Sequence, residues 1–445
     1  MCRAASVVLR ATLLLLFAGC ASFAAVRPAT AEGLSRAERR IVAAVDRGAP
    51  AALDLLQRAV DINSGTMNLD GVRAVGRLFA PEFEKLGFTT EWIDGASWGR
   101  AGHLVARRAG RDGAPKVLLI GHLDTVFERD TAFQKFERLT GDAARGPGIC
   151  DMKGGDVIML LALQALKEAG VLDRLAFVAV LTGDEEDSGS PIALARRHLV
   201  QAAEWADVAI GFEDGAGDPR TAVIARRGSS SWRLRATGHP AHSSQIFRAD
   251  IGSGAIYEAA RILAAFHDAL SGEAYLTVNP GTALGGTAVT FDPDENRGTA
   301  FGKTNVVAES AVVAGDLRAL SLEQRERAKE AMRRIVAAHL PQTSAEILFE
   351  DSYPPFAPSE GNRRLLALYD RASRDLGFGE VAAVDPSRAG AADVSFTETL
   401  VEMAIDGIGQ MGDGGHTDKE TADLRTLPSQ AKRAAVTLLR LAGKS

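Results

Sequence analysis

The residues best suited to chemistry stand just beyond short apolar runs. Val117–Ile120 is followed by Gly121-His122-Leu123-Asp124, Leu175–Leu181 by Thr182-Gly183-Asp184-Glu185-Glu186-Asp187, and Val208–Phe212 by Glu213-Asp214. On an extended backbone residues two apart point the same way, so His122 and Asp124 share a face: an imidazole to bind a metal and a carboxylate to orient it. Four adjacent carboxylates at Asp184–Asp187 repel one another unless a cation or protons hold them, a solvated acidic turn being the plainer reading of the same run. The segment Gly146-Pro147-Gly148-Ile149-Cys150-Asp151-Met152-Lys153-Gly154-Gly155 is dense enough in glycine to be a constrained loop that brings backbone close to something. Asp151 is its single carboxylate, and it equally suits the N-cap of a following helix. Asp413-Gly414-Gly415-His416-Thr417-Asp418 sets a second histidine in a glycine turn. Each signal alone is modest. Together, two histidines and at least three carboxylates fit a two-metal hydrolase site, in which the ions activate water and polarise a carbonyl.

Such a set needs a scaffold that brings distant segments together. The apolar runs read as buried strands, and they alternate with helical stretches at Arg36–Val60, Asp70–Leu86, Val157–Ala169 and Ile192–Trp205. That alternation predicts an α/β unit with a mostly parallel central sheet between helices, in which ligands gather beyond the carboxyl ends of the strands. After Arg226 the rhythm changes. A strand at Ser230–Thr237, a helix at Ile251–Leu270, strands at Thr287–Phe291 and Val306–Leu317, a helix opened by Ser321 with Gln324 completing a capping box, and a strand at Ala345–Phe349 follow. This β-α-β-β-α-β order suits an inserted α+β open-faced sandwich. Helices return from Glu360 and end in Ser429–Leu441. The division expected is a leader over 1–31, a first domain in two parts (32–226 and 353–445), and an inserted domain over 227–352.

The 445 residues are 46% hydrophobic and 24% charged, which excludes a disordered chain. A formal charge of −6 without clustered Lys and Arg argues against a nucleic-acid partner. Arg3 and Arg10 precede the apolar run Ala11–Ala18, and Ala29-Thr30-Ala31 has the small-x-small pattern of signal-peptide cleavage. We expect export to the periplasm or medium with cleavage near Ala31. Phe17-Ala18-Gly19-Cys20 offers a second exit, a lipoprotein anchored through Cys20. Cleavage near Ala31 removes Arg3, Arg10 and Arg27 and takes the charge from −6 to −9. It also leaves Cys150 alone, without an intramolecular disulfide.

The motifs GHLDTV, GPGICDMKGG, GDEEDSGS, GFED, GHPAHSS and GGHTDKE, in that order along the mature chain, resemble a family. It is that of the co-catalytic zinc peptidases, which includes glutamate carboxypeptidases, aminoacylases and succinyl-diaminopimelate desuccinylases. The resemblance implies two zinc ions per chain. It makes His122, Glu213, Glu186 and His416 terminal ligands, Asp151 the bridging carboxylate with a cis peptide after it, and Asp124 the group orienting His122. Glu185 matches the general base, which takes a proton from water and later passes it to the leaving nitrogen. The inserted domain is then a dimerisation domain, and His242 matches the histidine that reaches the partner's active site of a homodimer. Asn305 matches a residue holding substrate or oxyanion, and Arg318 a basic residue near the substrate carboxylate, although a surface ion pair suits it too.

Two departures concern the leaving amino acid. Members that release glutamate tend to carry a basic residue before Pro-x-Phe, whereas Tyr353 precedes Pro354-Pro355-Phe356 here. The segment Ser387-Arg388-Ala389-Gly390 is also altered, and Arg388 is a candidate for the missing cation. The expected activity is cleavage of an amide bond in a peptide or N-acyl amino acid, as a carboxypeptidase or as an aminoacylase on the same scaffold. A non-catalytic exported peptide- or metal-binding protein is the reading from another class. A dinucleotide fold is disfavoured because no Gly-x-Gly-x-x-Gly opens a helix after the first strand.

Overall fold

A computed structural model describes residues 33–293 and 295–443; the expected leader, its cleavage site and Cys20 lie outside the described residues. In chain order its main elements are α1 (Arg36–Val60), α2 (Leu69–Lys85), β1 (Thr89–Asp94), β2 (Gly102–Arg108), β3 (Lys116–His122), α3 (Lys153–Glu168), β4 (Ala176–Thr182), α4 (Arg197–Trp205) and β5 (Val208–Gly211). Then come β6 (Gly228–Thr237), α5 (Ala255–Leu270), β7 (Thr277–Gly286), β8 (Ala288–Asp292), β9 (Arg297–Phe301), β10 (Ser310–Ala319), α6 (Leu322–Ala337) and β11 (Ser344–Asp351). The chain ends with α7 (Glu360–Asp375), β12 (Met403–Ile405) and α8 (Thr426–Ala442).

The fold is α/β. Its six-stranded sheet has the order β1-β2-β4-β3-β5-β12, parallel from β4 to β12 and antiparallel at the β1–β2 edge. The central strands are near-continuous apolar runs because both faces are covered. Val117, Leu119, Phe177, Ala179 and Ile210 pack under α1, α3 and α8, while Leu118, Ile120, Val178, Val180 and Ala209 pack against Leu199, Ala202 and Ala203 of α4. Helix α1 begins at a full capping box, Ser35 with Glu38, which stabilises a helix start by about 1 kcal/mol. The sheet's register decides the site. His122 pairs with Thr182 and Ile120 with Gly211, so β3, β4 and β5 release their next residues at one edge.

The second unit is the antiparallel sheet β7-β10-β6-β11, covered on one face by α5 and α6 around Trp232, Leu234, Phe266, Leu317 and Met332. Here the structure corrects the sequence reading. The sheet strand before β10 is β7, whereas the expected strand Thr287–Phe291 lies in β8, half of the hairpin β8–β9. Pro280, Gly281, Gly285 and Gly286 hide β7 from a propensity reading. They are tolerated because β7 is an edge strand, with its register shifting between Pro280 and Thr282. The expected helix Ile192–Trp205 is broken into Ile192–Ala195 and α4, with Arg196 between them turned into a buried network. The Ser321 cap forms, but Gln324 Oε1 accepts from the N–H of Leu320, one residue earlier than a capping box requires.

Candidate metal centre

Asp124 organises the site from beneath. It follows β3, is fully buried, and accepts three hydrogen bonds: from the N–H of Glu185 on Oδ1 (3.0 Å), and from the N–H of Glu186 (3.1 Å) and Thr66 Oγ1 (2.6 Å) on Oδ2. Its Oδ1 also lies 3.4 Å from His122 Nδ1, which leaves His122 Nε2 facing the cleft. Asp124 therefore fixes the ring of His122, whose Nδ1 also lies 3.1 Å from the Asp124 carbonyl oxygen, and through its carboxylate the backbone of the Glu185-Glu186 pair. Nothing local in the sequence marks Thr66 for this role.

Asp151 stands between the two histidines. Its Oδ1 is 3.0 Å from His122 Nε2 and its Oδ2 is 3.0 Å from His416 Nε2. Each histidine has a second carboxylate of its own: Glu213 Oε1 lies 3.4 Å from His122 Nε2, and Glu186 Oε2 lies 3.2 Å from His416 Nε2. The result is two donor sets, His122–Asp151–Glu213 and His416–Asp151–Glu186, sharing the one aspartate. Ligand atoms of His122, Asp151 and Glu186 lie within 4.8 Å of one another, as do those of His122, Glu185 and Glu213. The Asp151–Met152 peptide is cis. Helix α3 starts at Lys153 with no side chain capping it, so Asp151 is free of the capping role that its position also suited.

The glycine-rich loop earns its composition at one contact in particular. A Cβ on Gly155 would fall 1.9 Å from the carbonyl oxygen of Phe212, so α3 reaches the strand end that carries Glu213 through a glycine. A small sheet, Gly412–Asp413, Thr421–Asp423, Ala143–Arg145 and Glu137–Arg138, ties the His416 turn to this loop. His416 sits at φ +61°, in the left-handed region that residues other than glycine seldom adopt.

The acidic run does not act as a unit. Asp184 turns away to bond Arg196 Nη1 (2.7 Å) and the N–H of Gly189 (2.9 Å), and Asp187 pairs with Arg100 (2.9 Å). Glu185 and Glu186 alone of the four reach the cluster. Burial pushes the Glu185 carboxyl well up, with Glu213, Asp393 and Glu186 adding to it, and burial with Asp151 brings Glu186 up to about 7. Hydrogen bonds to Asp151 and Glu186 raise the His416 imidazole to about 11, and His122 rises too, its carboxylate partners outweighing burial. Asp151 moves the opposite way: burial opposes its charge, but two imidazoles hold it well below the usual carboxylate range. Glu186 Oε1 is buried without a hydrogen-bond partner. An oxygen- and nitrogen-rich donor set with an orphaned acceptor fits two divalent cations.

Glu420 is a further positioning group. It is fully buried and accepts from the N–H groups of Gly148 (2.9 Å), Cys150 (2.8 Å) and Asp151 (3.1 Å). It closes the GGHTDKE motif, yet its partners lie about 270 residues back, which no local signal shows. We expect Glu420→Gln to weaken zinc retention by about 10–100-fold, the range for partners that orient a ligand, as read by competition with a chelator. Unchanged retention would show that the loop holds Asp151 unaided.

The remaining expected site residues make their bonds elsewhere. His242 and Asn305 are exposed side by side on the inserted unit: His242 bridges Val306, and the N–H of Ser243 donates to the carbonyl of Asn305 (2.9 Å). Arg318 lies on the sheet face away from α5 and α6, paired with Asp316 (2.8 Å) beside a 710 Å³ cavity. Arg388 is exposed in the turn Pro386–Arg388. None of the four bonds to the metal-ligand cluster.

Known proteins resemble this chain in sequence and fold. The model of the family described as peptidase family M20/M25/M40 matches residues 118–441. Carboxypeptidase G2 of Pseudomonas sp. strain RS-16 is 28% identical over 403 residues, which cover 89% of this chain and 90% of that protein. A succinyl-diaminopimelate desuccinylase of Gluconacetobacter diazotrophicus is 32% identical over 217 residues, 45% of this chain and 54% of that one. The crystal structure of aminopeptidase PepT from Bacillus cereus has the same fold, with a TM-score of 0.68 at 18% identity, covering 88% of this chain and 99% of that one. With the family model spanning β3 through α8 and the paired donor sets at the sheet edge, this chain belongs to peptidase family M20/M25/M40 and is a metal-dependent hydrolase.

Proposed function

We propose that the protein is a di-zinc carboxypeptidase that releases the C-terminal amino acid from a peptide or an N-acyl amino acid. The observation that carries the two-ion part is Asp151, whose two oxygens face two histidines, each with its own glutamate. Similarity to carboxypeptidase G2 along nine-tenths of its length favours a carboxypeptidase over an aminoacylase.

Zinc bound by His122, Asp151 and Glu213 and by His416, Asp151 and Glu186 would polarise the scissile carbonyl and lower the pKa of water. Glu185, half-buried beside Glu213 and with its backbone pinned by Asp124, accepts the proton of the attacking water and delivers it to the leaving nitrogen. Asp124 keeps His122 turned toward the cleft throughout. His242 of a second copy completes the oxyanion site in a homodimer formed through the inserted unit, with Asn305 beside it. Arg318 takes the substrate carboxylate, with Arg388 as the other candidate cation. The mature chain begins after residue 31, outside the cytoplasm.

A panel of N-acyl amino acids and dipeptides, varied separately on each side of the amide, tests the reading. Dependence of kcat/KM on a free C-terminal carboxylate supports a carboxypeptidase; indifference to it sinks that assignment. On the best substrate we expect Arg318→Ala to raise KM about tenfold with kcat nearly kept, as loss of uniform binding does. An unchanged KM in both Arg318→Ala and Arg388→Ala would remove both arginines from carboxylate recognition.

A further inference from the structure

The chain crosses between its two units twice, outward at residues 226–228 and back at 352–356, and the two crossings are paired. The N–H of Ser229 donates to the carbonyl of Tyr353 (2.9 Å) and that of Ser352 to the carbonyl of Ser229 (3.0 Å). Arg226 and Phe356 exchange both backbone bonds, at 2.8 and 2.9 Å. They run so close that a Cβ on Gly228 would lie 2.5 Å from the Pro355 nitrogen. This ladder continues the β6–β11 pairing, which ends at Ser230 and Asp351, into the larger unit.

Each crossing sends one side chain to the metal centre's supports. Tyr353, 8% exposed, donates its hydroxyl hydrogen to the carbonyl of Glu185 (3.0 Å). The same oxygen accepts from Arg196 Nη2 (2.6 Å), a guanidinium that also bonds Asp393 (2.6 Å) and Asp184 (2.7 Å) and is itself fully buried. Packing alone does not require that hydroxyl: the Tyr353 ring meets Phe396 edge-on at 5.2 Å, a contact phenylalanine would keep. On the outward crossing, Arg226 holds buried Asp406 through Nε (2.9 Å) and Nη2 (2.7 Å). The other oxygen of Asp406 accepts from the N–H of Glu213 (3.3 Å). The departure noted at Tyr353-Pro354-Pro355-Phe356 thus falls at a connector beneath the expected base.

We propose that the paired connectors position the reacting carboxylates: Tyr353 sets the backbone of Glu185, and Arg226, through Asp406, sets that of Glu213. Seating the inserted unit and aligning the two glutamates are then one event. The inference rests on the reading of Glu185 as the base.

The test is Tyr353→Phe in the full-length zinc-loaded enzyme, assayed on the N-acyl amino acid of the panel that turns over fastest. We expect kcat to fall about 10- to 100-fold, the scale of a small misplacement of a catalytic group, with KM changed less than about twofold. Zinc content and melting temperature stay at wild-type values. A kcat within about twofold of wild type overturns the proposal, and so does a fall in zinc content and melting temperature that accounts for the loss. Glu185→Gln measured alongside separates the two failures. Full turnover there removes the base and the link with it, whereas an inactive Glu185→Gln beside a fully active Tyr353→Phe removes the link alone. For the second connector, Arg226→Lys is read without turnover, as the rate at which zinc passes to a chelator. About tenfold faster loss of one ion of the pair supports the Arg226–Asp406–Glu213 path, and wild-type release of both ions removes it.

Discussion

Glu185→Gln binds zinc as the wild type does and loses about 10³-fold in kcat, with little change in KM. The substitution keeps the side chain's shape and removes its ability to take a proton. What pins Glu185 is its backbone: its N–H donates to Asp124 and its carbonyl accepts from Tyr353, and neither bond involves the carboxylate. The donor sets about Asp151 therefore survive the change. A positioned acid or base contributes roughly 10²–10⁴-fold, and the expected loss falls in the middle of that range. The same variant decides a second point. Glu185, Glu213 and His122 have ligand atoms within 4.8 Å of one another, a distance at which Glu185 itself has the reach of a ligand. Metal analysis showing two ions per chain keeps Glu185 as the base; loss of one ion moves it into the donor set, and near-normal kcat ends its catalytic role.

Chelation produces the largest effect, loss of turnover to background with full return on adding zinc. Asp151, Glu185, Glu186 and Glu213 converge in a part-buried site where His122 and His416, with Arg196 and Arg226 behind them, bring the compensating charge. Removing cations leaves the carbonyl without a Lewis acid and the carboxylates in mutual repulsion. The stripped protein also melts several degrees lower, since a ligand held at 100 times its Kd adds about 2.7 kcal/mol per site to the folded state. Calorimetry before and after chelation reads this directly. Equal melting temperatures, or turnover that persists without metal, would contradict the assignment.

How much of this was legible before folding depends on the range over which each signal acts. The strands β3, β4 and β5 are apolar runs because both sheet faces are covered, and the residues after them must emerge at one edge of a parallel sheet. That made His122, Asp124, Glu185, Glu186 and Glu213 readable as one cluster, and the glycine-rich settings of Asp151 and His416 added the other two. Edge strand β7 was not readable, since proline and glycine are permitted where one side of a strand is unpaired. Nor did the acidic run reveal that Asp184 and Asp187 belong to Arg196 and Arg100.

The amino-acid sequence by itself determined the chemical types at the metal centre and the sheet that gathers them, because both follow from local pattern: burial writes strands, and chemistry selects His and carboxylate at their ends. The tertiary structure alone decided what holds those groups still. Thr66 on Asp124, Glu420 under the Asp151 loop, Asp406 with Arg226 and Tyr353 with Arg196 are pairs joined across 58 to 270 residues. Each answers the demand of a buried polar group for a partner, and packing, not sequence distance, determines which partner is near enough to meet it.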